Sequence, residues 1–301
     1  MSNFTEKATS NGATSASIRP AARVVAGHPS ADGAGVKIHR VAGFQSKDFS
    51  PFLMIDEIRS ENPDDYIAGF PPHPHRGIET LTYMLSGEFE HQDHLGNRGA
   101  IAQGGAQWMR AGRGIIHSEM PSQGEGGMHG FQLWINMAAK DKMSKPDWRD
   151  IQPGQVRELS LDDNGSLIRL IAGEWQVGGE PQCAPLLEAA AEAAVADVRL
   201  AAGAETTLTL PAEHTALVYI YRGALQTERG TVNRGNLVLF GTGESLQLRA
   251  PAGDPGEGTG LLVLHGRPLN EPVVHYGPFV MNTREEIEQT LRDYNNGTLT
   301  D

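Results

Sequence analysis

A single cysteine, Cys183, stands in the 301 residues of this chain. No internal disulfide can form, and the fold owes nothing to an oxidising compartment. Aromatic residues make up only 6% of the sequence, and no run of Lys and Arg interrupts a formal net charge of -12. That balance offers no electrostatic footprint for phosphates, so direct nucleic-acid binding is not expected. No apolar run is long enough to span a bilayer. The opening MSNFTEKATSNGATSASIRP has no apolar stretch of the kind a secretory signal needs. A cytoplasmic monomer without a membrane partner is the expectation.

What the chain has in quantity is turn chemistry, with 36 glycines and 18 prolines. This favours many short strands over long helices. Residues 1–18, rich in Ser, Thr, Asn and Ala, read as a disordered arm. Thereafter short apolar runs recur: PFLMI (51–55), ETLTYML (79–85), FQLWINM (131–137), LIRLIAG (167–173), TALVYIY (215–221) and NLVLF (236–240). Between them lie SGE, LGNRG, GEGG, DDNG, RGT and GTGE, all turn sequences. Such spacing predicts a sandwich or barrel.

Lining up the turns exposes two halves. ETLTYMLSGEFE (79–90) and HTALVYIYRGALQ (214–226) share a strand, a glycine turn and a second strand. The expected organisation is an all-β chain of two β-barrels, one over 19–160 and one over 161–282, with a helix and tail at 283–301. The helix is signalled by TREEIEQTLRDYNNG, where Thr283 and Glu286 form a capping box, Ile287 and Leu291 stand four apart, and Gly297 follows. LLEAAAEAAVAD (186–197) is alanine-rich but has no clear apolar face, and reads as a loop or short helical excursion.

The chemistry concentrates in two stretches. In HPHRGIE (73–79), His73 and His75 stand two apart. In GRGIIHSEM (112–120), His117 and Glu119 do the same. Residues i and i+2 of a strand share one face, with Cα atoms ~6.5 Å apart. Two neighbouring strands would therefore present three imidazoles and a carboxylate to one ion. That donor set suits a divalent first-row metal such as Fe(II), Mn, Ni, Cu or Zn, and the lack of thiolate argues against a structural zinc site. Four ligands on an octahedral ion leave two positions for substrate or dioxygen, and Glu119 is a candidate general base.

HPHRGIETLTYMLSGEFEHQD, QWMRAGRGIIHSEM, HGFQLWINMAAKDKM and GPFVMNT each resemble the pirins, members of the cupin superfamily. The resemblance runs from about residue 22 to 297. It implies a bicupin with a metal site in the first barrel and a second barrel without one. The pirin ligands fall on His73, His75, His117 and Glu119. Many metal cupins take their carboxylate from the first motif, where this chain has Glu79; its even spacing from His75 allows a shared face, with a structural hydrogen bond as the favoured role. Similarity to bacterial pirins implies a quercetin 2,3-dioxygenase-like activity, with ferrous iron, a flavonol and O2. Similarity to animal pirins implies instead an iron-dependent redox switch binding a transcription factor or metabolic enzyme as protein partner. An isomerase or storage cupin is a third reading.

Other polar residues are assigned more modest roles. His91 and His94, three apart, face opposite ways, so a second ion there is not expected; the family pattern has serine where His94 stands. His129 reads as a cavity-lining or hydrogen-bonded core residue. His214, His265 and His275 stand apart in the sequence. Arg76 is expected to pair with an acidic neighbour such as Asp56, and Gln107 to be structural, although either could orient an anion. Trp108, Met109, Phe131 and Trp134 read as core or cavity wall.

Overall fold

The computed structural model describes residues 17–44, 46–122, 127–253 and 258–301. Most of the expected arm (1–16) and part of the GEGG turn (124–126) lie outside these. Strands dominate, and each half of the chain forms a pair of antiparallel sheets. No helix among the described residues is long and apolar enough to cross a membrane.

In the first half a seven-stranded sheet runs in the order Asp147–Ile151, Ala106–Arg110, Ile78–Ser86, Met128–Asn136, Phe52–Ser60, Val36–Ala42 and His28–Asp32. A four-stranded sheet, Phe70–His75, Ile115–Pro121, Phe89–Asp93 and Arg98–Ile101, forms the other wall. The second half repeats the plan with sheets of seven and six strands. Its cupin-type double barrel is the architecture anticipated from the turn spacing. In both aligned stretches the chain passes from the large sheet to the smaller one, Ile78–Ser86 to Phe89–Asp93 and Thr215–Arg222 to Ala224–Thr227. Both turn at a glycine of positive φ, Gly87 and Gly223.

Period-two alternation assigns the faces. In Met128–Asn136, Phe131, Leu133 and Ile135 enter a core cluster that also contains Leu217, Tyr219 and Leu262 of the second half. The two large sheets thus pack against each other. Each fully buried side chain of this size contributes ~1.5–3 kcal/mol. Two buried carboxylates sit in this interface. Glu57 accepts from Tyr219 Oη at 2.7 Å and pairs with His129 Nε2 at 2.8 Å; Asp197 accepts from Tyr83 Oη at 2.8 Å and from Tyr221 Oη. A buried charge is tolerated only when it is paired and hydrogen-bonded, so these contacts fix the two barrels' register.

The chain does not keep its halves separate. The strand Ala21–Ala26 hydrogen-bonds to Asn236–Phe240 in the second barrel's large sheet. At the other end, the hairpin Val274–Tyr276 and Phe279–Met281 and the helix Arg284–Asn295 return to the first barrel. Thr283 and Glu286 make the anticipated capping box, and Ile287 is buried.

Two expectations require correction. The segment 186–197 holds the expected loop and short helical excursion, one 3-10 turn at Ala190–Glu192, but from Ala194 it is a central strand, Ala194–Leu200. Burial on both faces explains this, because small alanines fit between packed sheets and tertiary contact overrides helix propensity. Arg76 does not reach Asp56, which is held by Arg40 at 2.8 Å. It pairs with Asp293 of the C-terminal helix at 2.6 Å and donates to Leu299 O at 3.0 Å.

Candidate metal centre

The strand Phe70–His75 alternates so that His73 and His75 turn inward, and Ile115–Pro121 does the same with His117 and Glu119. The two strands pair antiparallel, with His117 opposite His73 and Ile115 opposite His75. Cross-strand pairing therefore brings three imidazoles together: the ring centroids of His73 and His117 are 4.4 Å apart, and those of His75 and His117 are 5.1 Å apart. The potential ligand atoms of His73, His75 and His117 all lie within 4.8 Å of one another. Glu119 belongs to an overlapping group with His117 and His91.

The tautomers in this cluster follow from the outer hydrogen bonds. His73 Nδ1 lies 2.9 Å from Pro71 O, and His75 Nδ1 lies 3.3 Å from Pro278 O. A carbonyl only accepts, so both Nδ1 atoms carry the hydrogen and both Nε2 atoms present a lone pair. Those Nε2 atoms face each other at 3.0 Å. Two lone pairs at that distance repel, and a cation between them converts the repulsion into coordination. Burial, reinforced by the neighbouring histidines, holds His75 and His117 well below the ordinary imidazole value, in the neutral form a metal requires. His117 Nε2 is buried without a hydrogen-bond partner among the described residues. The residues present thus fit a divalent cation.

His91 is the member that strand alternation alone did not bring in. It faces away from the exposed His94, as expected, yet it lies opposite Glu119 on the next strand and is fully buried. Its Nδ1 is 3.4 Å from His117 Nδ1, and its ring stacks on Trp148 at 5.2 Å. The signal for it was the even spacing of Phe89, His91 and Asp93, all buried.

Glu119 is held from the large sheet. Thr82 Oγ1 lies 3.2 Å from Glu119 Oε1, and Gln132 Nε2 lies 3.2 Å from Oε2. Thr82 Oγ1 also contacts Gln132 Oε1. These residues belong to a polar row that crosses the sheet by direct pairing: Arg40, Asp56, Gln132, Thr82, Gln107 and Asp150. Gln107 ends in that row, donating to Asp150 at 2.6 Å.

Glu79 does not share the face of His75. Between them Gly77 has φ +79°, and a Cβ there would lie 2.0 Å from Val280 O. That kink ends one strand and starts another, so the even spacing no longer predicts a face. Glu79 is buried at the barrel interface, accepting from Trp108 Nε1 at 2.9 Å, Arg110 Nε at 2.9 Å and Ala190 N at 2.7 Å. Its role is the structural hydrogen bond.

The centre opens into a cavity of about 680 Å3, within the range of small-molecule sites. Trp134, Phe44, Met54, Ile58 and Phe70 form its apolar wall, and Trp134 meets His75 edge-on at 5.2 Å. Trp108, Met109 and Phe131 are core instead. His275 does not stand apart: the C-terminal hairpin stacks it on Phe44 at the cavity, 4.3 Å between centroids. His214 and His265 also meet, Nδ1 to Nδ1 at 3.0 Å, because their strands neighbour each other. His129 is bound to Glu57, outside the cavity. A second cavity of about 610 Å3 on the other barrel is lined by Arg19, Glu205 and Gln226 and contains no histidine. Among the described residues, both groups able to hold an ion lie in the first barrel.

Comparison with known proteins agrees with this geometry. Residues 35–135 match the family described as Pirin, and residues 195–300 match the Pirin C-terminal cupin domain. A Vibrio cholerae protein named "Putative quercetin 2,3-dioxygenase" is 50% identical over 91% of this chain and 95% of its own. A pirin-like protein of Caulobacter vibrioides is 39% identical over 93% of this chain and 99% of its own. Among solved structures, a quercetin 2,3-dioxygenase from Acinetobacter baumannii superposes with a TM-score of 0.84 at 31% identity, covering 94% of this chain and 99% of that one. With a relative of this identity matched over nearly its whole length, and with both halves of the fold recognised, the chain belongs to the pirin family.

Proposed function

We propose that this pirin is a metal-dependent dioxygenase that opens a flavonol with O2, its ion held by His73, His75, His117 and Glu119. The facing lone pairs of His73 and His75 are the observation that carries the reading. Three neutral nitrogens and one carboxylate favour a first-row divalent ion, and ferrous iron is the assignment tested first, before copper, nickel, manganese and zinc. When bound, such an ion supplies Lewis acidity toward a vicinal hydroxyl and carbonyl and the one-electron chemistry that dioxygen requires.

The chain's own residues account for binding and proton transfer. Trp134, Phe44 and Met54 line the cavity with apolar surface suited to a planar aromatic. Glu119 accepts the substrate's hydroxyl proton. Thr82 has one hydroxyl hydrogen and two oxygen neighbours, Glu119 Oε1 and Gln132 Oε1. The short contact to Gln132 Oε1 holds that hydrogen, so Thr82 Oγ1 offers Glu119 Oε1 a lone pair. Once Glu119 carries the proton it donates to Thr82 Oγ1, while Gln132 Nε2 donates to the other carboxyl oxygen.

Oxygen consumption on adding quercetin to the Fe(II)-loaded protein tests the proposal. Catalytic uptake that disappears in His117→Ala is expected. No uptake from protein shown to contain iron overturns it.

A further inference from the structure

The polar row that holds Glu119 continues past it to a cluster with no part in the metal centre. Arg40 lies across from Asp56, which lies across from Gln132. At ~4.8 Å per strand spacing, Arg40 stands ~10 Å from the strand that anchors Glu119, the span of a small fused-ring aromatic. Arg40, Asp56 and Asp32 line the same cavity as His73, His75 and Glu119. Met54 and Trp134, paired in the neighbouring row of the same sheet face, give that cavity an apolar wall together with Phe44.

The cluster is built and buried on one side. Asp56 has 6% of its side chain exposed and accepts from Arg40 through Nε, at 2.8 Å, and Nη2, at 2.6 Å. Nη2 also reaches Asp32. Nη1 makes no hydrogen bond among the described residues, although each guanidinium nitrogen is a donor. Asp32 is 46% exposed and accepts from Gly33 N at 2.7 Å through its other oxygen. Two unspent N–H groups therefore lie beside carboxylate lone pairs.

The charges decide what this end takes. One arginine and two aspartates leave a net negative cluster, which disfavours a ligand carboxylate. A neutral hydroxyl both accepts from Arg40 and donates to an aspartate. An ether or a bare ring satisfies neither, and leaves desolvated polar groups unpaired.

We propose that Arg40, Asp56 and Asp32 form a second recognition point, selecting aromatic substrates that carry free phenolic hydroxyls on the ring remote from the chelating oxygens. This deepens the flavonol reading and rests on it. The test uses protein loaded with redox-inert Zn(II) and follows ligand absorbance under anaerobic conditions. Two ligands are compared: quercetin, with adjacent hydroxyls on its pendant ring, and the flavonol with none on that ring. The unmodified protein is expected to bind quercetin about tenfold more tightly, as for one charge-assisted contact. Arg40→Met is expected to bring the two affinities to within about twofold, with the unsubstituted flavonol binding as before. Asp32→Ala, at an exposed position, is expected to lower the preference part-way and serves if the arginine variant does not fold. Equal affinities in the unmodified protein, or a preference that survives in both variants, overturns this inference and leaves the dioxygenase reading intact. Binding of neither ligand overturns the flavonol reading and this inference with it.

Discussion

Arg76 Nη1 lies 2.6 Å from Asp293 Oδ2, joining the residue next to His75 to a helix 217 positions later. The same guanidinium donates to Arg113 O, at the start of the His117 strand, and to Leu299 O. One buried side chain thus ties both histidine-bearing strands to the C-terminal segment. Replacing it with methionine removes the donor to two carbonyls and to Asp293 Oδ2, leaving that carboxylate only Gln289 on its other oxygen. Arg76→Met is expected to lower stability by ~2–4 kcal/mol, measured by urea denaturation, and to expose the C-terminal helix to protease. Unchanged protease resistance would separate the helix from this contact.

The opposed lone pairs of His73 and His75 make metal binding a stability term. A cation that binds the folded state alone adds RT ln(1 + [L]/Kd), ~2.7 kcal/mol at a hundredfold excess over Kd. Thermal unfolding with and without Zn(II) should show a rise of several degrees that His73→Ala abolishes. An equal rise in the variant argues against the assigned site.

His91 meets His117 Nδ1 at 3.4 Å, leaving His117 Nε2 without a partner among the described residues, and Trp148 stacks on the His91 ring. Partners of this kind orient metal-bound imidazoles, and their loss typically costs 10–100-fold in affinity. His91→Phe keeps the stacking and removes the hydrogen bond. Weaker Co(II) affinity with an altered visible spectrum is expected; an identical spectrum and affinity would make His91 a packing residue.

Thr82→Val removes the hydroxyl that accepts from protonated Glu119 while keeping the side-chain shape. Metal content and substrate KM should stay near those of the parent, and kcat should fall by roughly tenfold or more, within the span of acid–base effects. A change in KM alone would point to binding rather than proton transfer.

In the second barrel, burial and the neighbouring His214 push His265 down to about 3. Its unfolded value is near 6.5. The unfolded chain therefore takes up a proton between these limits that the folded chain refuses. The stability associated with neutral His265 is complete above pH 6.5 and is lost as pH falls toward 3. His214 is lowered in the same direction by burial, opposed by Glu192 and Glu213. Stability measured from pH 6.5 to 4.5 should fall by on the order of 1 kcal/mol per pH unit from His265. His265→Leu should flatten that slope; an unchanged slope places the acid sensitivity elsewhere.

Local rules carried far along this chain. The glycine-turn rhythm and the apolar runs specify strands, and Thr283, Glu286 and Gly297 mark a helix with its ends. Two residues of a strand two apart share a face whatever the fold, which is why HPH and HSE were legible as inward pairs. Tertiary structure decided what those rules cannot reach. Gly77 interrupts the alternation, so Glu79 turns to the barrel interface although its spacing from His75 is even. His91 joins His117 because of strand pairing across 26 positions. His214 and His265 meet for the same reason, and Arg76 finds Asp293 because the last helix folds back on the first barrel. The difference is physical: side-chain direction within a strand is set by neighbouring peptide units, whereas which strands and helices meet is set by burial summed over the whole chain.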